Sequence, residues 1–462
     1  LGLIAFLASL KPVAHLFKRR SEAATPAIIR HPVLTAVMGS MFWAGWLYRF
    51  RYAMVPETFY DALEYHLGLP NLYLLSHRII AVPENSFSGI PSLPSMLYGW
   101  TLAWDQWGIS ASMLHCSFVI WIGAALLGLS RRLGRPEAGL YACAIFALTP
   151  VVAAESFRTS VGLEWALLQL LCFTGFLAIF DYDKNSPERK NWVILCGTFL
   201  GLTMATKYPA WLLPIAFIPA LFLKFDGTRS DSSATISPRD AGLLFTVALL
   251  WLCPWVIKNI AFYGNPIYPF FHERFSPGAV YMPDWKQVNA AGTNPFHVLF
   301  SLDGLKGYGL NLWGFLKSRI LNESSGPLYF LLAPFSLLVR LPPKTRLWAW
   351  LCLGSWVPLS LLSTLSRYFI PHLAAFALLL SLVIVEIRPA RVRTIFLCII
   401  SAALAVTGVL WLLIDVPQRV KQNVFSGRLS YSQFLGHTAI SYPTPVFAGI
   451  EYINANTPQD AK

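Results

Sequence analysis

Glu57, Asp61 and Tyr65 recur every four residues, with Glu64 and His66 beside them, so a helix through this stretch sets two or three carboxylates on one face. Pro70 is expected to stop that helix. A carboxylate held in place can take the proton of a hydroxyl, a role that accounts for about 10² to 10⁴ in rate. Glu155 lies in the very short loop Ala153-Ala154-Glu155-Ser156-Phe157-Arg158 and offers a second acid, the plainer alternative being a surface pair with Arg158. Two cations complete the set. Lys207, in Ala205-Thr206-Lys207-Tyr208-Pro209, suits a phosphate as a point charge or snorkels to lipid. Arg367, in Ser366-Arg367-Tyr368-Phe369-Ile370-Pro371, has the same two readings and is the stronger phosphate candidate, because a guanidinium grips oxygens in pairs. Gly264-Asn265-Pro266 is a further polar signature, and Arg49, Arg51, His77 and Arg78 are secondary candidates.

These residues must be positioned by an apolar scaffold. The chain has 462 residues, 55% hydrophobic and 13% charged, with a mean hydropathy of +0.53, which excludes an ordinary soluble domain. The pattern predicts an all-α polytopic membrane protein. Apolar runs near the length needed to cross the hydrocarbon layer fall at about 33–50, 111–130, 137–154, 160–180, 192–206, 208–223, 240–257, 326–340, 346–363, 368–387 and 393–414. More than half of the 36 basic residues crowd into 18–32, 131–136, 181–191, 224–240, 340–346 and 388–393, the loops expected inside. With eleven spans, residues 51–110, 258–325 and 415–462 are then external, and every polar signature surfaces on one side.

Counting Pro91–Trp107 as another span would invert every later loop, so it is read as an interfacial helix, with Trp100, Trp104 and Trp107 at the headgroup boundary. All seven cysteines fall in predicted spans, and no disulfide framework or zinc spacing is present. The net charge of +13 follows from inward retention of basic loops and attraction to anionic lipid, without nucleic acid. Residues 1–17 stay unassigned: apolar, but without the features of a complete signal peptide. The expected organisation is a 1–32 cytoplasmic or interfacial segment, a 33–414 membrane domain, and a 415–462 external segment.

The order of Asp61-Ala62-Leu63-Glu64-Tyr65-His66-Leu67, an acid after the third span, Lys207-Tyr208, Gly264-Asn265-Pro266-Ile267-Tyr268-Pro269 and Arg367-Tyr368 resembles the membrane glycosyltransferases of the C-type fold (GT-C). Within them it is similar to the lipid-carrier-dependent group of protein O-mannosyltransferases and the lipid A aminoarabinose transferase, from about residue 33 onward. The ending Tyr452-Ile453-Asn454-Ala455-Asn456-Thr457-Pro458 resembles the start of a small external domain of some relatives, implying a chain that stops early.

The resemblance implies a GT-C-like bundle of about 11 transmembrane helices, with a polyprenyl-phosphate-linked sugar as donor and a glycan, lipid or protein as acceptor. It implies a bacterial cytoplasmic (inner) membrane with the site facing the periplasm or exterior. Asp61 then approaches the acceptor, Glu155 is a second acid, and Lys207 and Arg367 lie near the carrier phosphate. Tyr65, His66, Tyr208, Tyr368 and Asn265 complete the substrate-binding set. Relatives often carry two adjacent acids in the first loop, whereas Ala62 and Leu63 separate Asp61 from Glu64, so the base is one of the two. The phosphate leaves without a dedicated acid, and base and phosphate on opposite faces give single displacement with inversion, unlike the two-carboxylate route of retaining glycosidases. A divalent metal bridging acid and phosphate is an open alternative, with too few spaced ligands to define a site. A lipid or sugar transporter, with charges at mid-depth, and a non-catalytic subunit of a larger complex are the competing readings.

Overall fold

The computed structural model describes residues 31–218, 225–226, 233–234, 236–275, 329, 341–363, 365–387, 389–414, 416–437 and 447–458. The expected span at 326–340 (apart from Tyr329), most of the external segment 258–325, and residues 1–17 lie outside them.

The described chain is a helical bundle built around an apolar hub. Its main helices are α1 (Pro32–Ala53), α2 (Gly68–Leu75), α3 (Leu93–Leu102), α4 (Ile109–Arg132), α5 (Pro136–Ala147), α6 (Pro150–Glu155), α7 (Gly162–Ile179), α8 (Pro187–Met204), α9 (Pro238–Tyr263), α10 (Pro343–Leu362), α11 (Ile370–Glu386), α12 (Ala390–Ile414) and α13 (Val416–Phe425), with short helices at His272–Phe275, Tyr431–His437 and Phe447–Asn456. Helices α1, α4 and α11 surround α5, and α7 packs on α4, α11 and α8. Helix α11 is the centre: 89% of its apolar stretch is buried inside the protein, against 17% for α9, whose Leu249, Leu250, Trp251 and Ile257 face outward as a lipid-contacting surface would. Residues 225–226 and 233–234 pair as a minimal antiparallel ladder.

Five described helices are long and apolar enough to cross a membrane: Ile109–Arg132, Gly162–Ile179, Pro238–Tyr263, Ser366–Glu386 and Ala390–Thr407. The protein is thus an integral membrane protein, and the eleven crossings read from the sequence stand as an expectation. Two expected spans differ in form. The stretch 137–154 is not one helix but α5 followed by α6, because Thr149 precedes Pro150 and takes an extended conformation (ψ 128°). The stretch from 208 begins as a tight 3-10 helix, Tyr208–Phe217, with Pro214 inside it removing a donor that a regular α-helix needs. Helix α3 has ten residues, about 15 Å at ~1.5 Å per residue, half the hydrocarbon thickness. Its Trp100 and the following Trp104 are exposed.

Caps and ion pairs fix the direction of the helices. Ser186 and Ser237 each accept a hydrogen bond from a backbone N–H of the first turn, of Arg189 and Asp240 respectively, and Pro187 and Pro238 follow at the first helical position. Arg189 then clamps Asp240 through Nε (3.0 Å) and Nη2 (2.8 Å), so α8 and α9 start at the same end and run parallel. At that end Arg132 and Lys344 share Asp181, Arg135 pairs with Glu386 at 2.6 Å, and Arg393 donates to His31. Four of the basic loops picked out by composition, 131–136, 181–191, 340–346 and 388–393, therefore gather at one end of the bundle. The ends of α6 and α8 and the starts of α4, α7 and α11 form the other end. Residues 416–437 return to that second end, where Gln422 donates to the Tyr52 hydroxyl (3.1 Å) and Val424 and Phe434 pack on Val55.

The α8–α9 contact depends on glycine. A Cβ on Gly201 would stand 2.4 Å from the Ala248 carbonyl oxygen and 2.7 Å from Trp251 Cβ, so only hydrogen fits between the two backbones. Gly201→Val is expected to force them apart at a cost of about 1–3 kcal/mol. The measurement is the melting temperature of the detergent-solubilised protein, and an unchanged value would contradict the close approach.

Candidate functional site

At the end opposite the basic cluster, one small open hollow is lined by Asp61, His66, Glu155, Lys207, Arg367 and Tyr368. Four separated stretches of sequence thus deliver their charged residues to a single place. The floor is apolar, with Trp165 and Ile370.

Each charged residue arrives at a break in regular structure. After α1 the chain turns through a π-helical segment, Ala62–His66, whose wider coil turns Asp61 and Glu64 to different neighbours. Asp61 Oδ2 accepts from the Tyr65 hydroxyl and pairs with Arg367 Nη2, each at 2.9 Å. Tyr65 is held in turn by stacking on Phe87, ring centres 4.4 Å apart, while Lys258 and Asn259 of α9 donate to the backbone oxygens of Ser88 and Gly89. Burial and the neighbouring Asp61 push the Tyr65 phenol well above its ordinary pKa, so it remains a donor. Glu155 is the last residue of α6, and its Oε1 accepts from Arg158 at 3.3 Å while the buried Oε2 has no partner. Lys207 follows α8, where Pro209 prevents the helix from running on.

Lys207 is only 8% exposed, and its ammonium rests over aromatic faces, 4.6 Å from the Tyr368 ring centre and 5.8 Å from that of Tyr65. Among the described residues no carboxylate neutralises it. Arg367 sits in the 3-10 turn Ser366–Phe369 ahead of α11, one face of its guanidinium committed to Asp61 and its buried Nε unpartnered. A buried cation without a counter-ion beside a guanidinium with a free donor is a surface that binds an anion. His66, with Nδ1 3.0 Å from Ser95 Oγ, is kept neutral: burial lowers its pKa well below 6.5, and Lys207, His115 and Arg367 lower it further.

Other expected residues lie elsewhere. Glu64 points away from the hollow, its carboxylate accepting from Asn85 at 3.4 Å. Glu57 precedes the helical turn rather than sharing its face. It is buried, accepting from the backbone N–H of Thr58, Phe59 and Thr159 and from the Ser112 hydroxyl, which makes it a staple between loops. Pro70 does not stop a helix but occupies the first turn of α2, where its missing donor is not needed. Asn265 is spent on its own turn, donating to Phe270 O at 2.8 Å and accepting from Ile267 N at 3.0 Å, just after Gly264 ends α9 with φ 63°. Tyr208 donates to Tyr268 O at 2.7 Å, so both polar signatures fasten the rim next to Lys207 rather than line the hollow. Arg51 stacks on Tyr48 (4.1 Å), Arg49 is buried in α1, and His77 and Arg78 are exposed beyond α2.

A buried network was missed in the sequence. His115 of α4 meets both Glu164 oxygens of α7 at 3.0 Å through Nδ1, and its Nε2 faces the Glu155 carbonyl oxygen at 3.1 Å and Ser160 Oγ at 3.3 Å. The Tyr98 hydroxyl lies beside the same Glu164. This pair anchors the wall carrying Glu155 and Ser160. The signal existed, since an ionisable residue inside each of two apolar runs is costly unless paired. Among the described residues no group of three His, Cys, Asp or Glu side chains gathers to hold a metal ion.

The family described as dolichyl-phosphate-mannose-protein mannosyltransferase matches residues 105–257. No curated protein sequence matches the chain. Among solved structures, ArnT from Cupriavidus metallidurans bound to undecaprenyl phosphate superposes with a TM-score of 0.56 at 14% identity, over 90% of this chain and 72% of that one. The Archaeoglobus fulgidus oligosaccharyltransferase in complex with zinc and sulfate gives 0.51 at 14% identity, over 90% of this chain, which spans only 55% of that protein. These are membrane glycosyltransferases of the GT-C superfamily, and the chain has their fold.

The neutral His66 makes stability depend on pH in a defined direction. Its folded pKa is depressed, so the unfolded chain binds the extra proton first, and stability is lost as pH falls below about 6.5. Melting temperatures taken between about pH 7.5 and 5.5 are expected to fall more steeply for the wild type than for His66→Asn. Equal slopes would contradict the assignment.

Proposed function

We propose that this protein is an integral-membrane glycosyltransferase that moves a sugar from a polyprenyl-phosphate carrier to an acceptor hydroxyl, with inversion at the anomeric carbon. The observation that carries the reading is the meeting of Asp61, Glu155, Lys207 and Arg367 in one hollow at the non-basic end of the bundle. The fold shared with membrane glycosyltransferases, one of them bound to undecaprenyl phosphate, supports it.

Arg367 and Lys207 hold the carrier phosphate, the guanidinium by paired hydrogen bonds and the ammonium as a charge shielded from water. The arriving phosphate competes with Asp61 for the guanidinium and frees a carboxylate oxygen. Asp61 takes the acceptor hydroxyl proton as that oxygen bonds to the anomeric carbon, while the bond to the phosphate oxygen breaks and its electron pair stays on the phosphate. Cations stabilise the charge that grows there, so no separate acid protonates the leaving group. Glu155, with one buried oxygen unpartnered, orients the acceptor. The retention of basic loops inside argues for a site facing outward.

The test is release of polyprenyl phosphate from a radiolabelled polyprenyl-phosphate sugar by the purified protein, with membrane extract supplying acceptors. Asp61→Asn is expected to lower turnover by about 10² to 10⁴ while donor binding persists. Arg367→Ala is expected to weaken donor binding about tenfold or more, with less effect on the acceptor. Full turnover in Asp61→Asn would reject the base, and equal loss for donor and acceptor in Arg367→Ala would reject the phosphate role.

A further inference from the structure

Residues 416–437 fold back onto the turn that follows α1. Gln422 donates to the Tyr52 hydroxyl at 3.1 Å, Val424 and Phe434 pack on Val55, and the Tyr431 ring meets Trp107 edge-on, centres 5.6 Å apart. The Trp107 carbonyl oxygen in turn accepts from the Glu57 N–H at 3.2 Å. Within this contact α13 presents Lys421, only 6% exposed, its ammonium 5.1 Å from the Phe157 ring centre. A lysine tolerates such burial when an aromatic face or a counter-charge receives its ammonium. Phe157 is the face, and Glu57 is the counter-charge. Burial raises the pKa of the Glu57 carboxyl, but Lys421 and the backbone N–H groups of Thr159 and Phe59 outweigh burial and hold it below the ordinary carboxylate range.

That carboxylate clamps two stretches of chain together. Its Oε1 accepts from the N–H of Thr58 at 2.7 Å and of Phe59 at 2.8 Å, while Oε2 accepts from the Thr159 N–H at 2.5 Å and the Ser112 hydroxyl at 3.1 Å. Both stretches lead directly into the hollow. Phe59 lines it, its ring centre 5.7 Å from the Arg367 guanidinium and 5.3 Å from that of Arg158, and Asp61 follows two residues later. Ser160, next to Thr159, lines it together with Glu155. Without the ammonium the buried carboxylate must take up a proton or turn toward water, and either change withdraws an acceptor from the N–H groups it holds. We propose that Lys421 is a positioning residue for the hollow: α13, beyond the last long apolar helix, supplies the cation that keeps Glu57 clamped on Phe59 and Thr159, so that the segments carrying Asp61 and Glu155 keep their spacing. The consequence for sugar transfer rests on the function proposed above, whereas the consequence for the clamp does not.

Hydrogen–deuterium exchange of the whole purified protein in detergent, followed by mass spectrometry, reads the clamp, and turnover of the radiolabelled polyprenyl-phosphate sugar reads the site. In Lys421→Met, peptides covering residues 58–59 and 159 are expected to exchange about tenfold faster, the loss of one charge-assisted hydrogen bond, while α8 and α11 exchange as in the wild type. Turnover is expected to show kcat lowered about tenfold with the donor KM changed less than about threefold, as for catalytic groups that are present but misplaced. Lys421→Arg keeps the charge and is expected to restore both readings. Lys421→Gln, neutral and shorter, is expected to repeat the losses, and serves where Lys421→Met does not fold. Unchanged exchange at 58–59 and 159, a rise shared equally by α8 and α11, wild-type kcat in Lys421→Met, or Lys421→Arg as impaired as Lys421→Met would each overturn the positioning role. A wild type that releases no polyprenyl phosphate, while Lys421→Met still speeds exchange at the clamp, would overturn the proposed function and leave Lys421 holding the walls of the hollow.

Discussion

A carboxylate and a guanidinium from opposite ends of the chain, Asp61 and Arg367, stand 2.9 Å apart at the site end of the bundle, and the architecture around them follows from the cost of charge near hydrocarbon. In such surroundings a charge is tolerated when it is paired, reaches water or sits on an aromatic face. All three solutions appear within the hollow: Asp61 with Arg367, Arg158 reaching the surface while holding Glu155, and Lys207 over Tyr368 and Tyr65.

The same cost sorts the rest of the molecule. Arg132, Arg135, Arg189, Lys344 and Arg393 all find partners at the opposite end, and between the two ends the core is apolar. Inside that core, polar groups are satisfied in networks such as Tyr98, His115 and Glu164, which serve the wall of the hollow. Exceptions occur at Glu155 Oε2 and Arg367 Nε in the hollow and around Gln169 beneath it, and also outside it, as at Arg49 Nη1 and Asn259 Oδ1.

Rigidity of the site comes from turns that the chain fastens together. Phe87 stacks on Tyr65, Tyr208 donates to Tyr268 O, and Asn259 donates to Gly89 O. Through these contacts the end of α9 supports Asp61 on one side of the hollow and the segment carrying Lys207 on the other. The Gly-Asn-Pro signature therefore acts by shaping the rim.

Much of this was legible in the chain. Apolar runs marked the helices because a lipid-crossing segment must satisfy its backbone internally and present apolar side chains, a requirement that composition alone reveals. The basic loops marked one end, and the isolated polar residues Asp61, Glu155, Lys207 and Arg367 marked the other, since charges are rare in such a sequence and stand out. What the sequence could not decide was orientation within a few residues. Asp61 and Glu64 are equivalent by type, and only the wide turn at Ala62–His66 sends one into the hollow and the other to Asn85. Glu57 became a staple, Asn265 a turn-former and Trp165 part of the floor of the hollow through packing between segments far apart in the chain. One-dimensional spacing records which groups are costly to bury, and three-dimensional packing assigns each its partner, because pairing energy depends on distances that spacing does not contain.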